Sequence, residues 1–221
     1  MSLSGVIFDM DGVIVDSEPV HIQAEKKLIE GLGIDFDKVD IKKYVGLAMD
    51  KFWESLKSEY NLSQSVEELL AYDTDVRTAS FRGYDNFQAP DGAKGLVRML
   101  KRSEVPLALA SSSHTNLIDV VMDKLHYRKF FDVIVSGFEL KNGKPAPDIF
   151  LYAADLLGTK PAETLVVEDS ANGVIAAKRA GMKCIGYINP HSGKQDLSMA
   201  DYTTDDFESI SMETLEKIME M

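Results

Sequence analysis

Asp9 and Asp11 flank Met10 and precede Gly12 at the point where the apolar run Gly5-Val6-Ile7-Phe8 ends. Such a run reads as a short buried strand closed by a turn. Side chains alternate along a strand, so residues two apart point the same way, and both carboxylates look out over the strand's C-terminal edge. That edge is where open α/β sheets take their ligands. Two acids this close resist ionising together, so either a cation lies between them or one keeps a proton. Both states serve the transfer of a phosphoryl group. Alone, Asp-x-Asp-Gly is equally a plain turn.

Three further polar groups stand at the ends of apolar runs. Leu107-Ala108-Leu109-Ala110 gives way to Ser111-Ser112-Ser113-His114, and a helical pattern follows. Hydroxyls and free N–H groups at a helix N-terminus suit a phosphate, although a helix cap with no ligand is the commoner use of serines there. Lys144 lies in Gly143-Lys144-Pro145-Ala146-Pro147-Asp148, a stiff loop before a helix that Asp148 is placed to cap. There its ammonium either neutralises converging carboxylates and a transferring phosphoryl group or is a solvated surface charge, as Lys141 nearby is expected to be. Glu168-Asp169 ends Leu165-Val166-Val167. Acids at two strand ends, together with a substrate phosphate, offer oxygen ligands to a hard cation such as Mg²⁺; the competing use of Asp169 is as a helix cap.

The elements that must position these groups alternate. Strand-like runs fall at 5–9, 105–110, 132–135, 164–167 and 183–187, separated by amphipathic helical patterns near 92–102, 115–125, 148–157 and 171–180. This is the βαβ rhythm of a doubly wound, Rossmann-like parallel sheet. From about Glu18 to Asn86 only helical patterns occur, at 19–31, 48–59 and 65–82. The segment reads as a helical insert after the first strand, with hinges at Val15-Asp16-Ser17 and Phe87-Gln88-Ala89-Pro90.

Composition limits the partners. The chain has 221 residues, 45% of them hydrophobic, and a formal net charge of −12. A sizeable core is affordable at that length, and no basic block offsets the acidic excess, so neither nucleic acid nor an anionic membrane is an expected partner. An anionic substrate therefore needs a local positive site. The single Cys184, in an apolar run, is expected to be a buried thiol, which fits a reducing cytoplasm.

The ordered set of Asp9 and Asp11, Ser111, Lys144, and Glu168 with Asp169 resembles the haloacid dehalogenase superfamily of phosphotransferases over essentially the whole chain. Asp9-Met10-Asp11-Gly12-Val13, Gly143-Lys144-Pro145-Ala146-Pro147-Asp148 and the helical insert look most like its β-phosphoglucomutase-like branch of sugar-phosphate mutases and phosphatases. The resemblance implies that Asp9 is the nucleophile, forming an aspartyl-phosphate, and that Asp11 moves protons to and from the leaving and incoming oxygens. It implies Mg²⁺ on Asp9, the Asp11 carbonyl and Asp169, with Glu168 ligating directly or through water. Ser111, Ser112 and Lys144 would hold the phosphoryl group. Residues 1–16 and 87–221 would form the α/β core and 17–86 a cap that reads the substrate, with Ser17, His21, Gly46, Arg77 and His114 as the residues facing it.

Dehalogenases lack the second aspartate and phosphonate-cleaving relatives carry a small residue there, so Asp11 favours phosphate esters. A receiver-type signalling domain uses a similar set in another order: there the acidic pair ends the first strand and the phosphorylated aspartate comes later. A non-catalytic protein of the same fold would be expected to lack the nucleophile, which is present. The expected protein is thus a monomeric phosphatase for a small phosphorylated metabolite, probed against a mutase by two positions. Met49 stands where the mutases carry an arginine for the second phosphate, and Glu25 where they carry a tryptophan; Arg77 or Lys51 is the available substitute.

Overall fold

A computed structural model describes residues 3–44, 47 and 49–221. Six strands, β1 (Gly5–Phe8), β2 (Leu107–Ser111), β3 (Val133–Ser136), β4 (Thr164–Glu168), β5 (Lys183–Tyr187) and β6 (Tyr202–Thr204), form one sheet in the order β3-β2-β1-β4-β5-β6. Every neighbouring pair is parallel. The chain works outward from β1 to β3 on one side and from β4 to β6 on the other. The direction of winding therefore switches between β1 and β4, and open sheets place their ligand crevice at the C-terminal ends of the strands at such a point.

The described residues form eight α-helices: α1 (Glu18–Gly31), α2 (Met49–Tyr60), α3 (Val66–Gly83), α4 (Ala93–Arg102), α5 (Thr115–Lys124), α6 (Asp148–Leu157), α7 (Ala171–Arg179) and α8 (Met212–Glu220). β6 and α8 lie beyond the strands and helices expected from the pattern. None of the described helices is long and apolar enough to cross a membrane.

Period-two alternation sorts the strand residues onto two faces. Cys184, Val166, Ile7, Ala108 and Val133 stand in register across five strands. This face is covered by Ile149, Phe150, Ala153 and Ala154 of α6 and by Val174, Ala176 and Ala177 of α7. Small residues in both layers let the helices come close, which matters because α7 begins beside the carboxylates at the end of β4. The other face buries Val6, Phe8, Leu107, Leu109, Leu165, Val167 and Ile185. Phe8 meets the edge of Phe131 at a centroid distance of 6.0 Å.

The chain divides into two units, one of Met1–Glu18 with Asn86–Met221 and one of Pro19–Asp85. The helical unit has its own core, in which Leu28, Ile29, Phe52, Trp53, Leu56 and Leu69 pack together. α3 opens with a capping box: Ser65 accepts from the Glu68 amide and Glu68 from the Ser65 amide. The two orphan donors are thereby satisfied reciprocally. Trp53 Nε1 donates to Asp73 Oδ2 at 3.2 Å, and Arg77 Nε donates to Asp73 Oδ1 at 2.6 Å. In the other unit the first hinge segment runs beside the second, with the Asp16 amide donating to the Gln88 carbonyl at 2.8 Å.

Candidate active site

Backbone geometry brings the acids together. After β1 the Asp9 amide still pairs with the Val167 carbonyl at 2.9 Å, extending the ladder by one residue. The chain then turns sharply: the Ile14 amide donates to the Met10 carbonyl and the Gly12 amide to the Val15 carbonyl, each at 2.8 Å. Gly12 has φ +81°, a left-handed conformation that costs a glycine little. A side chain is also excluded there, because a Cβ would stand 2.7 Å from Asp169 Cγ and 2.9 Å from Asn189 Nδ2.

Lys144 ties the first and fourth strands. Its ammonium donates to Asp9 Oδ1 at 2.5 Å and to Glu168 Oε1 at 2.6 Å, and all three side chains are buried. The alternative of a solvated lysine is thus excluded for Lys144 and holds for the exposed Lys141. Glu168 Oε2 accepts from the Ser170 amide at 2.7 Å and the Ser170 hydroxyl at 2.9 Å. Ser170, not Asp169, caps α7, its oxygen accepting from the Gly173 amide at 3.1 Å. Asp148 is the first residue of α6 rather than its cap; Pro147 occupies the cap position, and Asp148 instead accepts from Asn142 Nδ2 at 2.9 Å.

Asp11 sits among hydroxyls. Ser17 Oγ donates to its Oδ1 at 2.6 Å, while Ser113 and Ser111 donate to Oδ2 at 2.9 and 3.4 Å. Of the serines after β2, Ser111 is fully buried and Ser112 exposed. Ser113 was legible only as a member of the cluster, yet its hydroxyl is the nearer of the two to Asp11. His114 occupies the N-cap position of α5 without a side-chain cap bond and packs on Phe138, the ring centroids 4.1 Å apart and the planes tilted by 38°. Its Nδ1 is buried and lacks a hydrogen-bond partner.

One ammonium among four carboxylates leaves excess negative charge. Burial, against the pull of Lys144 and reinforced by Glu168, Asp11 and Asp169, drives Asp9 well above the usual carboxylate range. Burial and then the Glu168 charge push Asp169 up to about 7. Burial disfavours the Lys144 charge, but Asp9 and Glu168 outweigh it and hold the ammonium above its ordinary value. Low dielectric disfavours unbalanced charge, and these shifts express that imbalance.

The helical unit holds the other candidates. His21 packs on the Phe81 ring at 5.0 Å. Arg77 is neither solvated nor uncommitted: it is paired with the buried Asp73. Glu25, Tyr44, Leu47, Met49 and Arg77 line a cavity of about 170 Å³ within this unit. Gly46, like Val45 and Ala48 of the same loop, lies outside the described residues.

Sequence reasoning missed a segment after β5. Asn189 Nδ2 donates to the Gly12 carbonyl at 2.9 Å, and Ser192 Oγ donates to Asp169 Oδ2. Asn-Pro-His-Ser reads only as a polar turn, so no local signal marks these residues.

Fold and site together define a Rossmann-like core with a buried cluster of acids and a lysine at its winding switch, and a helical unit inserted after β1. The chain belongs to the haloacid dehalogenase-like hydrolase family, whose sequence model matches residues 6–187. It is 33% identical over 202 residues to the probable pseudouridine-5'-phosphatase of Drosophila melanogaster, covering 88% of this chain and 85% of that one. It is 30% identical over 183 residues to the phosphorylated carbohydrates phosphatase of Thermotoga maritima, covering 83% and 84%. The structure of a β-phosphoglucomutase from Clostridium difficile superposes with a TM-score of 0.80 at 25% identity, covering 99% of this chain and 97% of that one.

Proposed function

We propose that this phosphatase of small phosphorylated substrates is Mg²⁺-dependent, acts on a sugar phosphate, and works through an aspartyl-phosphate on Asp9. The observation that carries the reading is the buried Asp9–Lys144–Glu168 chain beside an Asp11 held by hydroxyls, where the C-terminal ends of β1, β2 and β4 meet the loop before α6 that carries Lys144.

Among the described residues no three His, Cys, Asp or Glu side chains already form a ligand cluster. Mg²⁺ does not require one, since it keeps several waters and needs one or two carboxylates plus substrate oxygens. The donors here are hard oxygens with unbalanced negative charge, and Asp169 is packed directly on the Asp11-Gly12 turn. The residues fit. Asp9, Asp169 and the Asp11 carbonyl would hold the ion, with Glu168 ligating directly or through water; bound there, Mg²⁺ supplies positive charge for the ionised Asp9 and the phosphoryl oxygens.

In the first half-reaction a carboxylate oxygen of Asp9 attacks phosphorus in line, and the bond to the sugar oxygen breaks. Asp11 gives its proton to that leaving oxygen. In the second half-reaction Asp11 takes a proton from water as the water oxygen attacks phosphorus, regenerating Asp9 and releasing inorganic phosphate. Ser17 and Ser113 aim the Asp11 carboxyl in both steps. Lys144 spreads positive charge over the transferring group, and Ser111 and Ser112 stand at the α5 N-terminus to take its oxygens.

Hydrolysis is favoured over mutase chemistry by the cap cations. Met49 replaces the expected arginine and is exposed, Arg77 is engaged by Asp73, and Lys51 donates to Glu54 at 2.7 Å. A mutase must grip a second phosphate while its bisphosphate turns round. The test is to incubate the protein and Mg²⁺ with hexose, pentose and polyol phosphates, then with β-glucose 1-phosphate and a trace of the 1,6-bisphosphate. Phosphate release from one monophosphate is expected. Glucose 6-phosphate appearing with little free phosphate would make the protein a mutase.

A further inference from the structure

Within the four residues 189–192 that follow β5, Asn189, His191 and Ser192 touch three parts of the site at once. Asn189, 8% exposed, donates through Nδ2 to the Gly12 carbonyl at 2.9 Å, and its Oδ1 accepts from the His191 amide at 2.8 Å. Ser192 Oγ donates to Asp169 Oδ2. His191 Nδ1 lies 2.7 Å from Asp16 Oδ2, and Asp16 is in turn bonded through its amide to Gln88. The loop therefore fastens the Asp11-Gly12 turn, the carboxylate of Asp169 and the hinge segment of the core to one another. Gly12 is the meeting point: a Cβ would strike both Asp169 and Asn189.

We infer that Ser192 and Asn189 are positioning residues for the cation site, acting through Asp169 and the Asp11-Gly12 turn respectively. The inference rests on the Mg²⁺ reading of the site. A carboxylate on the end of a β4 turn has two free torsions, and a hydroxyl donating to Oδ2 fixes which oxygen is left for a ligand. An amide donating to the Gly12 carbonyl fixes the Gly12–Val13 peptide, one unit beyond the Asp11 carbonyl, and through it the turn that presents that carbonyl. Hydrogen bonds to metal-ligating carboxylates orient them, and removing such a partner weakens metal binding by about 10–100-fold.

The experiment titrates Mg²⁺ alone into the full chain by calorimetry, for the wild type, Ser192→Ala and Ser192→Thr, alongside thermal unfolding of each without Mg²⁺. Ser192→Ala is expected to bind Mg²⁺ about 10–100-fold more weakly, with unfolding unchanged, and Ser192→Thr to restore the affinity by restoring a hydroxyl. Equal affinity in wild type and Ser192→Ala overturns the inference while leaving the metal site standing. A parallel fall in the unfolding temperature of Ser192→Ala makes the contact one of fold and overturns the positioning role. No binding by the wild type overturns the Mg²⁺ reading and this inference with it.

Discussion

Gly173→Ala reaches the site from a residue that takes no part in the chemistry. A Cβ at position 173 would stand 2.5 Å from Glu168 Oε2 and nearer still to Cδ and Oε1. Non-bonded heavy atoms settle near about 3.5 Å, so the carboxylate must retreat by roughly 1 Å or more. Retreat is opposed because Glu168 is buried and Oε2 is tied to the Ser170 amide and hydroxyl. Moving it stretches the 2.6 Å bond to Lys144 beyond hydrogen-bond reach and leaves that ammonium anchored chiefly on Asp9. Overpacking of this kind costs about 1–3 kcal/mol of stability. A misplacement of about 1 Å in a catalytic group costs on the order of 100-fold in rate, or roughly 2.7 kcal/mol of transition-state stabilisation. The assay is kcat/KM on nitrophenyl phosphate together with urea unfolding. Gly143→Ala is the control, beside Lys144 but with nothing within 4 Å of its Cβ, and is expected to leave both quantities unchanged. Activity of Gly173→Ala within about twofold of wild type, set against the 100-fold loss expected, refutes the reasoning that Glu168 holds Lys144 in place.

Asp11→Asn is expected to slow a sugar phosphate far more than nitrophenyl phosphate, because protonation matters most for a basic leaving oxygen; equal slowing removes general acid catalysis from Asp11. Gly95→Ala, at an exposed position of α4 with open space around its Cβ, should raise stability by roughly 0.5–1 kcal/mol in urea unfolding, and a loss would show an unrecognised contact. For Asp201, burial raises the pKa but the donors Lys178, the Cys184 amide and Lys183 outweigh it and hold the carboxyl below its usual value. A depressed folded pKa gives stability that is present above the unfolded pKa of about 3.9 and lost as pH falls through the folded one. Asp201→Ala should therefore cost about 2 kcal/mol at neutral pH, the gap from wild type shrinking below roughly pH 4; a gap independent of pH contradicts the charge-based account.

Residues whose position is set by their own strand were readable in advance. Asp9, Ser111 and Glu168 each close an apolar run, and the parallel register then delivers them to one edge without further information. Lys144 was readable because prolines stiffen its loop. β6 was not: three residues, Tyr202-Thr203-Thr204, lie among aspartates with no apolar run, and it forms only as an edge strand on β5. α8 did carry a helical signal, with Leu215, Ile218 and Met219 buried at three- and four-residue spacing, although it bears on no site residue. Asn189 and Ser192 join residues far away in sequence, and Gly173 matters only through a neighbour on another element; none of the three has a local pattern to betray it. Arg77 read as a cation available to a substrate phosphate, whereas it is committed to Asp73, an acid one helical turn back that also accepts from the buried Trp53.

The proposed mechanism requires a covalent phosphoryl group at Asp9. Mixing the protein and Mg²⁺ with excess substrate, quenching in acid within the steady state and weighing the peptides by mass spectrometry reads it directly. One added phosphoryl group on the peptide that carries Asp9 is predicted, and none in Asp9→Asn. Phosphate release with an unmodified Asp9 peptide, or a phosphoryl group on any other residue, would contradict the nucleophile and the mechanism built on it.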